Sequence, residues 1–290
     1  MKKLITASTV LALTLSLGTF SVSAADDLSA SVYITISDAN GSLAIAQQQV
    51  AVTDIDSDGT LTISDALYCA HEASYEGGAS AGFATSQTEY GLSLDMLWGT
   101  ANSGSYGYYV NNTSAMSLND AISEGDYINA YVYTDLTAWS DVYCYFDRNT
   151  VSTEENLEFS LTLSYCGYDA NWNPVTLAVS GATITVDGET TEFVTDENGK
   201  ATITLAAAGD YVLSAVSETQ TLVPPVCKVS VAATQHDIET EPESSSASQS
   251  ESESVNTQLP ADTGVYPPLV FGVLAAAVIT CTVASAKKRG

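Results

Sequence analysis

Acidic residues with the spacing of a metal-binding loop lie between residues 54 and 65. Aspartate stands at positions 1, 3, 5 and 12 of this twelve-residue stretch and glycine at position 6: Asp54, Asp56, Asp58, Asp65 and Gly59. A calcium loop of this length takes side-chain oxygens from positions 1, 3 and 5, a backbone carbonyl from position 7, here Thr60, and a closing carboxylate from position 12. The spacing therefore predicts a bound calcium ion. The alternative is an acidic β turn, because Asp-x-Asp-Gly is also a turn sequence.

Residue patterns typical of catalysis are scarce in this sequence. The chain has 2 histidines, and His71 stands two residues after Cys69 on a predicted helix, where side chains at that spacing do not share a face. A Cys–His nucleophile pair is therefore not expected. The sequence contains no G-x-S-x-G, H-E-x-x-H or phosphate-loop motif. We expect no enzymatic activity. A carbohydrate-active enzyme is an alternative function, the third after binding or adhesion and ligand capture. The chain has many carboxylates, but no spacing among them singles out an acid–base pair.

The cysteines permit disulfide bonds in an exported protein. Five are present, and Cys281 lies in an apolar segment near the C-terminus. The other four allow two disulfides. Pairing within each predicted domain gives Cys69–Cys144 and Cys166–Cys227. Four reduced, buried thiols are the alternative.

Aromatic residues form the remaining chemical pattern. The chain contains 16 Tyr and 3 Trp, with clusters at Trp98, at residues 106–109 and at residues 139–145. Tyrosine and tryptophan combine a large apolar face with a polar tip, which suits sugar rings or a flat ligand. We therefore take Trp98, Tyr108, Tyr109 and Asn111 as candidate ligand-binding residues. Cross-strand aromatic packing is the alternative.

Charge restricts both the partners and the location of the protein. The chain has 8 Lys and Arg against 35 Asp and Glu, a formal net charge of -27. A nucleic-acid partner is not expected, because binding phosphates requires many cations. Lys2 and Lys3 precede an apolar run that ends in small residues. This pattern predicts a secretory signal peptide over residues 1–25, with an N-terminal membrane anchor as the alternative.

The C-terminal region predicts attachment to the cell envelope. Residues 269–286 carry no charge and are followed by three cations, as in a transmembrane helix with its C-terminus inside. Residues 259–264 read Leu-Pro-Ala-Asp-Thr-Gly, which resembles the sorting signal of Gram-positive wall proteins with one extra residue between Pro and Thr. The resemblance implies cleavage between Thr263 and Gly264 and linkage to peptidoglycan. A plain single-pass anchor is the alternative. The Ser- and Glu-rich residues 235–258 predict a disordered stalk.

The sequence between these ends predicts two β-rich domains. Apolar and polar residues alternate in short runs, such as residues 31–36, 127–133 and 157–163, which is typical of half-buried strands. Asp-Gly and Asn-Gly turns separate the runs. One helix is predicted from Ile63 to about Ser74, opened by Thr62 or Ser64. A boundary between residues 149 and 150 divides an α+β domain, residues 26–149, from an all-β sandwich, residues 150–234.

Two resemblances refine this division, and a third concerns the acidic loop. Residues 186–215 contain an Asp-Glu-Asn-Gly-Lys turn and a Gly-Asp-Tyr strand, and they resemble immunoglobulin-like modules of bacterial surface proteins. The Asp-Ala-Leu sequence at residue 65, the Gly-Tyr-Tyr-Val-Asn strand at residue 107 and the Gly-Asp turn at residue 125 resemble the transcobalamin C-terminal-like domain. This second resemblance implies a β-grasp-like fold. The acidic loop is similar to the calcium loops of dockerins.

These observations predict a protein that is exported and anchored on the outer face of a Gram-positive cell envelope. The expected function is binding or adhesion without catalysis, with calcium holding the acidic loop. The expected partners are the membrane, peptidoglycan and an extracellular glycan, protein or small molecule. The alternative function, implied by the transcobalamin-like resemblance, is capture of a small ligand such as cobalamin.

Overall fold

The computed structural model of the chain describes residues 28–103 and 105–234, and β-strands dominate this region. The β-rich fold class expected from the sequence is confirmed. The predicted signal peptide, stalk and membrane-anchoring segment, with Thr263 and Gly264, lie outside the described residues. Within the described ranges, no helix is both long enough and apolar enough to cross a membrane.

The first domain consists of two sheets and one long helix. Its elements, in chain order, are β1 (Ser29–Ser37), β2 (Leu43–Thr53), α1 (Ile63–Ser74), α2 (Ala79–Gly82), β3 (Ala84–Thr88), β4 (Gly91–Leu97), β5 (Thr100–Ala101), β6 (Tyr106–Val110), β7 (Thr113–Ser114) and β8 (Tyr127–Val132). The larger sheet has the order β2-β1-β8-β6-β7, in which β1 and β8 run parallel. Strands β3, β4 and β5 form a separate small sheet.

Helix α1 and the larger sheet share one apolar core. Alternation along β1 brings Val32, Ile34 and Ile36 into this core, and all three are fully buried. The helix contributes Ile63 and Leu67, which lie four positions apart and therefore on one face. Burial of each such side chain stabilises the fold by about 1.5–3 kcal/mol.

The second domain is a sandwich of two sheets. Its strands, in chain order, are β9 (Val142–Phe146), β10 (Thr150–Glu154), β11 (Glu158–Tyr168), β12 (Pro174–Ala178), β13 (Thr183–Val186), β14 (Glu189–Val194), β15 (Lys200–Thr204), β16 (Gly209–Val216), β17 (Leu222–Val223) and β18 (Cys227–Ala232). One sheet has the order β10-β18-β16-β13-β14 and the other β12-β11-β9-β17, with β15 also paired to β11. Side chains from both sheets fill one core, including Leu161, Leu163 and Ile184.

Strand pairing divides the chain earlier than the sequence predicts. Strand β9 pairs with β11 and β17, both in the second domain. The last strand of the larger first-domain sheet, β8, ends at Val132. The division in strand pairing therefore lies between Val132 and Val142, whereas the prediction placed it between residues 149 and 150. The predicted boundary falls at the connection between β9 and β10.

Tyrosines from both domains pack together where the domains meet. The ring of Tyr109 on β6 stacks on the ring of Tyr143 on β9, with centroids 3.6 Å apart and an interplanar angle of 7°. Tyr131 on β8 joins the same buried cluster. The Tyr143 hydroxyl donates a hydrogen bond to Oδ1 of Asn112 at 2.9 Å. We call this cluster the tyrosine joint.

A second polar contact crosses the same boundary. The Lys228 ammonium donates to the Gln47 carbonyl oxygen at 2.9 Å, and the Gln47 side-chain amide donates to the Val226 carbonyl oxygen at 3.0 Å. Gln47 is buried at a bulge in β2, with a positive φ of 41°. These bonds and the stacked rings fix the two domains against each other at separate points.

Candidate functional site

An open cleft of about 720 Å³ lies between the β3–β4 hairpin and strand β6. Its walls carry aromatic and aliphatic side chains from three parts of the first domain: Tyr90, Leu92, Leu94, Tyr106, Tyr108 and Met116. A cleft with apolar walls and a few polar groups is the usual form of a ligand site. We call it the first-domain cleft.

Short turns hold the two most exposed side chains of the cleft. Tyr90 is 92% exposed and Met116 is 90% exposed. The Tyr90 backbone N–H donates to the Thr88 hydroxyl at 3.2 Å, and that hydroxyl donates to the Gly91 carbonyl oxygen at 2.8 Å. The Met116 backbone N–H donates to a carboxylate oxygen of Asp120 at 2.8 Å. The backbone at the rim is therefore ordered by local hydrogen bonds.

Two tyrosines of β6 form the wall below this rim. The Tyr106 hydroxyl accepts the Asn102 backbone N–H at 2.7 Å and lies 2.7 Å from the Asp95 carbonyl oxygen. Tyr108 is half-buried, and burial, with a smaller contribution from the Asp120 carboxylate, raises the pKa of its phenol. Both tyrosines therefore present neutral rings at physiological pH, which suits an uncharged ligand.

The four predicted ligand-binding residues occupy four different environments. Of these residues, Tyr108 lines the cleft, whereas Tyr109 lies in the tyrosine joint. Asn111 has a positive φ of 49° in the two-residue turn between β6 and β7, and its side chain bonds to Asp126 and to the Tyr127 backbone. Adjacent residues of a strand point to opposite faces, which separates Tyr108 from Tyr109.

Trp98 packs around the buried His71. The Trp98 ring lies 5.2 Å from the His71 ring, and the Trp98 backbone N–H donates to His71 Nε2 at 3.0 Å. Nε2 is therefore the acceptor, so Nδ1 carries the proton and donates to the Leu67 carbonyl oxygen at 2.6 Å. Burial lowers the pKa of His71 from 6.5 to about 4. Both ring nitrogens are engaged inside the core, so this imidazole is not positioned as a base for an external substrate.

The acidic loop brings three of its four predicted carboxylates together. Ligand oxygens of Asp54, Asp56 and Asp58 all lie within 4.8 Å of one another. The Asp54 carboxylate also accepts the Gly59 backbone N–H at 2.8 Å, and this bond is the main cause of its lowered pKa. Desolvation, followed by repulsion from Asp58, raises the pKa of Asp56. Hard oxygen ligands of this kind fit a calcium ion.

Asp65 is not among the three carboxylates that converge within 4.8 Å, and it caps helix α1. Its carboxylate accepts the Thr62 backbone N–H at 2.9 Å and the Ile55 backbone N–H at 3.0 Å, while the Thr62 hydroxyl accepts the Asp65 backbone N–H. This reciprocal pair is a capping box. The structure thus assigns Asp65 a helix-capping role, whereas the prediction made it the closing metal ligand. Thr60 remains next to the triad in the chain, where its backbone N–H donates to Asp58 at 2.8 Å.

The predicted disulfides Cys69–Cys144 and Cys166–Cys227 are not formed within the described part of the chain. Cys69 lies in the core of the first domain and Cys144 in the core of the second, so the domain division separates the first pair. Cys166 is exposed, whereas Cys227 is fully buried. Burial raises the pKa of the Cys227 thiol to about 12. The alternative of reduced, buried thiols therefore describes Cys144 and Cys227, whereas Cys166 is exposed.

Two exposed aromatic residues did not enter the sequence prediction. Tyr168 is 62% exposed and Trp172 is 81% exposed, and both lie at the tip of the β11–β12 hairpin. Only their sequence context, an Asp-x-Asn-x-Asn turn with an aromatic inside it, could have marked them.

Comparison with known proteins gives likenesses of fold only. No family model and no curated protein matches the chain. Among solved structures, the Bacteroides ovatus mixed-linkage glucan utilization locus protein SGBP-B, in complex with a mixed-linkage heptasaccharide, is 14% identical, with a TM-score of 0.22 over 52% of this chain and 35% of that chain. The N-terminal four Ig domains of Dscam1 isoform 7.44 are 8% identical, with a TM-score of 0.21 over 70% of this chain and 44% of that chain. The chain spans less than half the length of both structures, and these likenesses carry no argument about function.

Proposed function

We propose that the protein is an exported, non-enzymatic binding or adhesion protein displayed on the cell envelope, and that its ligand binds in the first-domain cleft. The observation that carries this proposal is the cleft itself. It is open, it has neutral tyrosine walls, and its rim holds the exposed side chains of Tyr90 and Met116. Large apolar side chains that remain exposed around a concave surface are typical of binding sites.

The charge of the chain narrows the class of ligand. A formal net charge of -27 disfavours anionic ligands. The cleft presents ring faces together with hydroxyl groups from Tyr108 and Ser117. We infer that a neutral extracellular glycan fits this chemistry, because a sugar ring has both an apolar face and hydroxyl groups.

Binding to soluble neutral polysaccharides tests the proposal. The panel consists of starch, a β-glucan, a xylan and a mannan, and retardation in affinity gels measures binding. We expect retardation by at least one polymer, with a loss of about tenfold in affinity for Tyr108→Ala, the scale of one aromatic contact. Val194→Ala is the matched control, because Val194 is exposed on β14 in the second domain. Unchanged binding by Tyr108→Ala and Tyr90→Ala together would exclude the cleft.

Cobalamin is the alternative ligand, and it rests on the transcobalamin-like pattern of the first domain. A corrinoid is broad and flat, so it would engage the same tyrosine walls. Titration with cobalamin at micromolar protein, followed by visible absorption, tests this alternative. An absorption change that disappears in Tyr108→Ala supports it, and the absence of any change with the wild-type protein removes it.

We further propose that the acidic loop binds calcium through Asp54, Asp56, Asp58 and the Thr60 carbonyl oxygen. The convergence of three carboxylates supports this assignment, because an ion would offset their mutual repulsion. Calcium titration by calorimetry should give one binding event that Asp54→Ala abolishes. Asp38→Ala is the control, since Asp38 closes a different exposed turn. Equal calcium binding by wild type and Asp54→Ala would remove the metal assignment.

A further inference from the structure

The tip of the β11–β12 hairpin presents two aromatic rings to solvent. Tyr168 ends β11, and Trp172 lies in the turn that leads into β12. Their ring centroids are 6.0 Å apart with an interplanar angle of 45°. Both rings are more than half exposed, and neither belongs to a core cluster of the described residues. Two large aromatic rings that lie side by side in solvent form a candidate binding surface.

Asp169 builds the turn that carries Trp172. One carboxylate oxygen accepts the backbone N–H groups of Asn171 at 2.8 Å and Asn173 at 2.9 Å, and the other accepts the Asn173 side-chain amide at 2.9 Å. The Trp172 backbone N–H donates to the Asp169 carbonyl oxygen at 3.0 Å. The turn is thus closed by its own hydrogen bonds.

Trp172 has a backbone conformation that aromatic residues rarely adopt. Its φ is 63°, in the left-handed region that glycine and asparagine adopt most readily. Asn171 and Asn173 stand on either side of it, yet the left-handed position carries tryptophan. Because the turn is already ordered, a ligand that stacks on Trp172 would not bear the cost of ordering it.

We propose that Tyr168 and Trp172 form a second binding platform, separate from the first-domain cleft, that takes a neutral sugar chain. The two rings offer apolar faces for the C–H surface of sugars, and the Tyr hydroxyl and Trp N–H at their edges suit sugar hydroxyls. Rings 6.0 Å apart can contact the same sugar or two neighbouring sugars. The platform rests on the proposed binding function. It adds a second site for the same class of ligand, a neutral sugar chain, outside the first-domain cleft.

Charge and size favour a neutral sugar chain over an anionic polymer, a phospholipid surface or a protein partner. The chain has no Lys or Arg from residue 149 to residue 199, so the hairpin offers no cation to an anionic polymer or a phospholipid surface. Polar residues, Asp169, Asn171 and Asn173, surround the two rings. A stable protein–protein interface needs about 800 Å² on each partner with an apolar centre, which two rings in a polar turn do not supply.

The test uses the full chain and the same four polysaccharides in affinity gels. We expect wild type to be retarded by at least one polymer, Trp172→Ala to lose about tenfold in affinity, and Trp172→Phe to keep most of the binding. Val194→Ala is again the control. Circular dichroism and the thermal midpoint should be unchanged in Trp172→Ala, because the side chain is 81% exposed.

The pattern of binding losses shows whether the hairpin, the cleft or both bind the polysaccharide. Loss with Trp172→Ala and not with Tyr90→Ala supports the platform and removes the cleft as the glycan site. Loss with Tyr90→Ala and not with Trp172→Ala overturns the platform and leaves the proposed function intact. Loss with both supports two sites. Absence of binding to all four polymers, with binding to polylysine or self-association that Trp172→Ala abolishes, would overturn the sugar assignment in favour of a basic or self partner.

Discussion

Lowering the pH should destabilise the first domain through His71. The imidazole is fully buried, it is neutral, and both of its ring nitrogens take part in hydrogen bonds. Protonation would place a proton on Nε2, which now accepts the Trp98 backbone N–H. The folded protein would then lose that bond and hold a buried cation among aromatic rings. The first domain should therefore favour the neutral form strongly.

The magnitude follows from the shift in pKa. Burial lowers the pKa of His71 from 6.5 to about 4, which is the folded value. The unfolded chain binds the proton more readily than the folded chain. The contribution of neutral His71 to the free energy of unfolding is therefore fully present above pH 6.5 and is lost as the pH drops toward 4. The difference between 6.5 and about 4, at about 1.36 kcal/mol per pKa unit, gives a total loss of roughly 3 kcal/mol. At pH 5 the loss is about 2 kcal/mol.

Urea unfolding at pH 8, 6 and 5 measures this loss, with Trp fluorescence and near-ultraviolet circular dichroism as probes. His71→Gln is the matched variant, because glutamine can donate to the Leu67 carbonyl and accept from the Trp98 N–H without titrating. We expect wild type to lose about 2 kcal/mol more than His71→Gln between pH 8 and pH 5. Asp135, with a pKa lowered to about 2 chiefly by the Ser140 hydroxyl, contributes only below this window. Equal losses in the two proteins would refute the assignment of a buried neutral imidazole.

Replacing Thr62 with Ala removes the N-cap of α1 and should cost about 1 kcal/mol in urea unfolding. Gly107→Ala should cost about 1–3 kcal/mol in the same measurement, because an added Cβ would overlap the Tyr131 ring. In the tyrosine joint, Tyr143→Phe should cost about 1 kcal/mol through one lost hydrogen bond and Tyr143→Ala about 3 kcal/mol or more; equal losses would contradict the stacked geometry. A thiol reagent should modify Cys166 rapidly in the native protein, and a reaction rate unchanged in Cys166→Ser would show that this thiol is blocked.

Local sequence patterns predicted the elements of the fold well. Helix α1 begins at Ile63 and ends at Ser74, as its cap and apolar spacing indicated. Strand β1 follows the alternation of Val32, Ile34 and Ile36. The division in strand pairing differs from the predicted boundary because it depends on which strands pair across long sequence separations. Nothing within β9 itself reveals that it pairs with β11 and β17.

The candidate site residues were harder to predict, because one residue type serves several roles. An acidic spacing identified Asp54, Asp56 and Asp58 as a group, and they do converge. The same spacing could not show that Asp65 would cap a helix, since both a metal ligand and an N3 cap call for a carboxylate at that position. The predicted pair Cys69–Cys144 followed from the predicted boundary, which assigned Cys144 to the first domain, whereas Cys144 lies in the core of the second.

Strand β6 explains why neighbouring tyrosines have different functions. Tyr108 faces the first-domain cleft, whereas Tyr109 stacks on Tyr143 in the tyrosine joint. The strand pairs on one side with β7 and on the other with β8, so both faces rest on a backbone held by two ladders. A large amphipathic ring suits a ligand and a domain contact equally well. The function of each tyrosine therefore depends on which face of the strand its side chain points to and on what packs against that face.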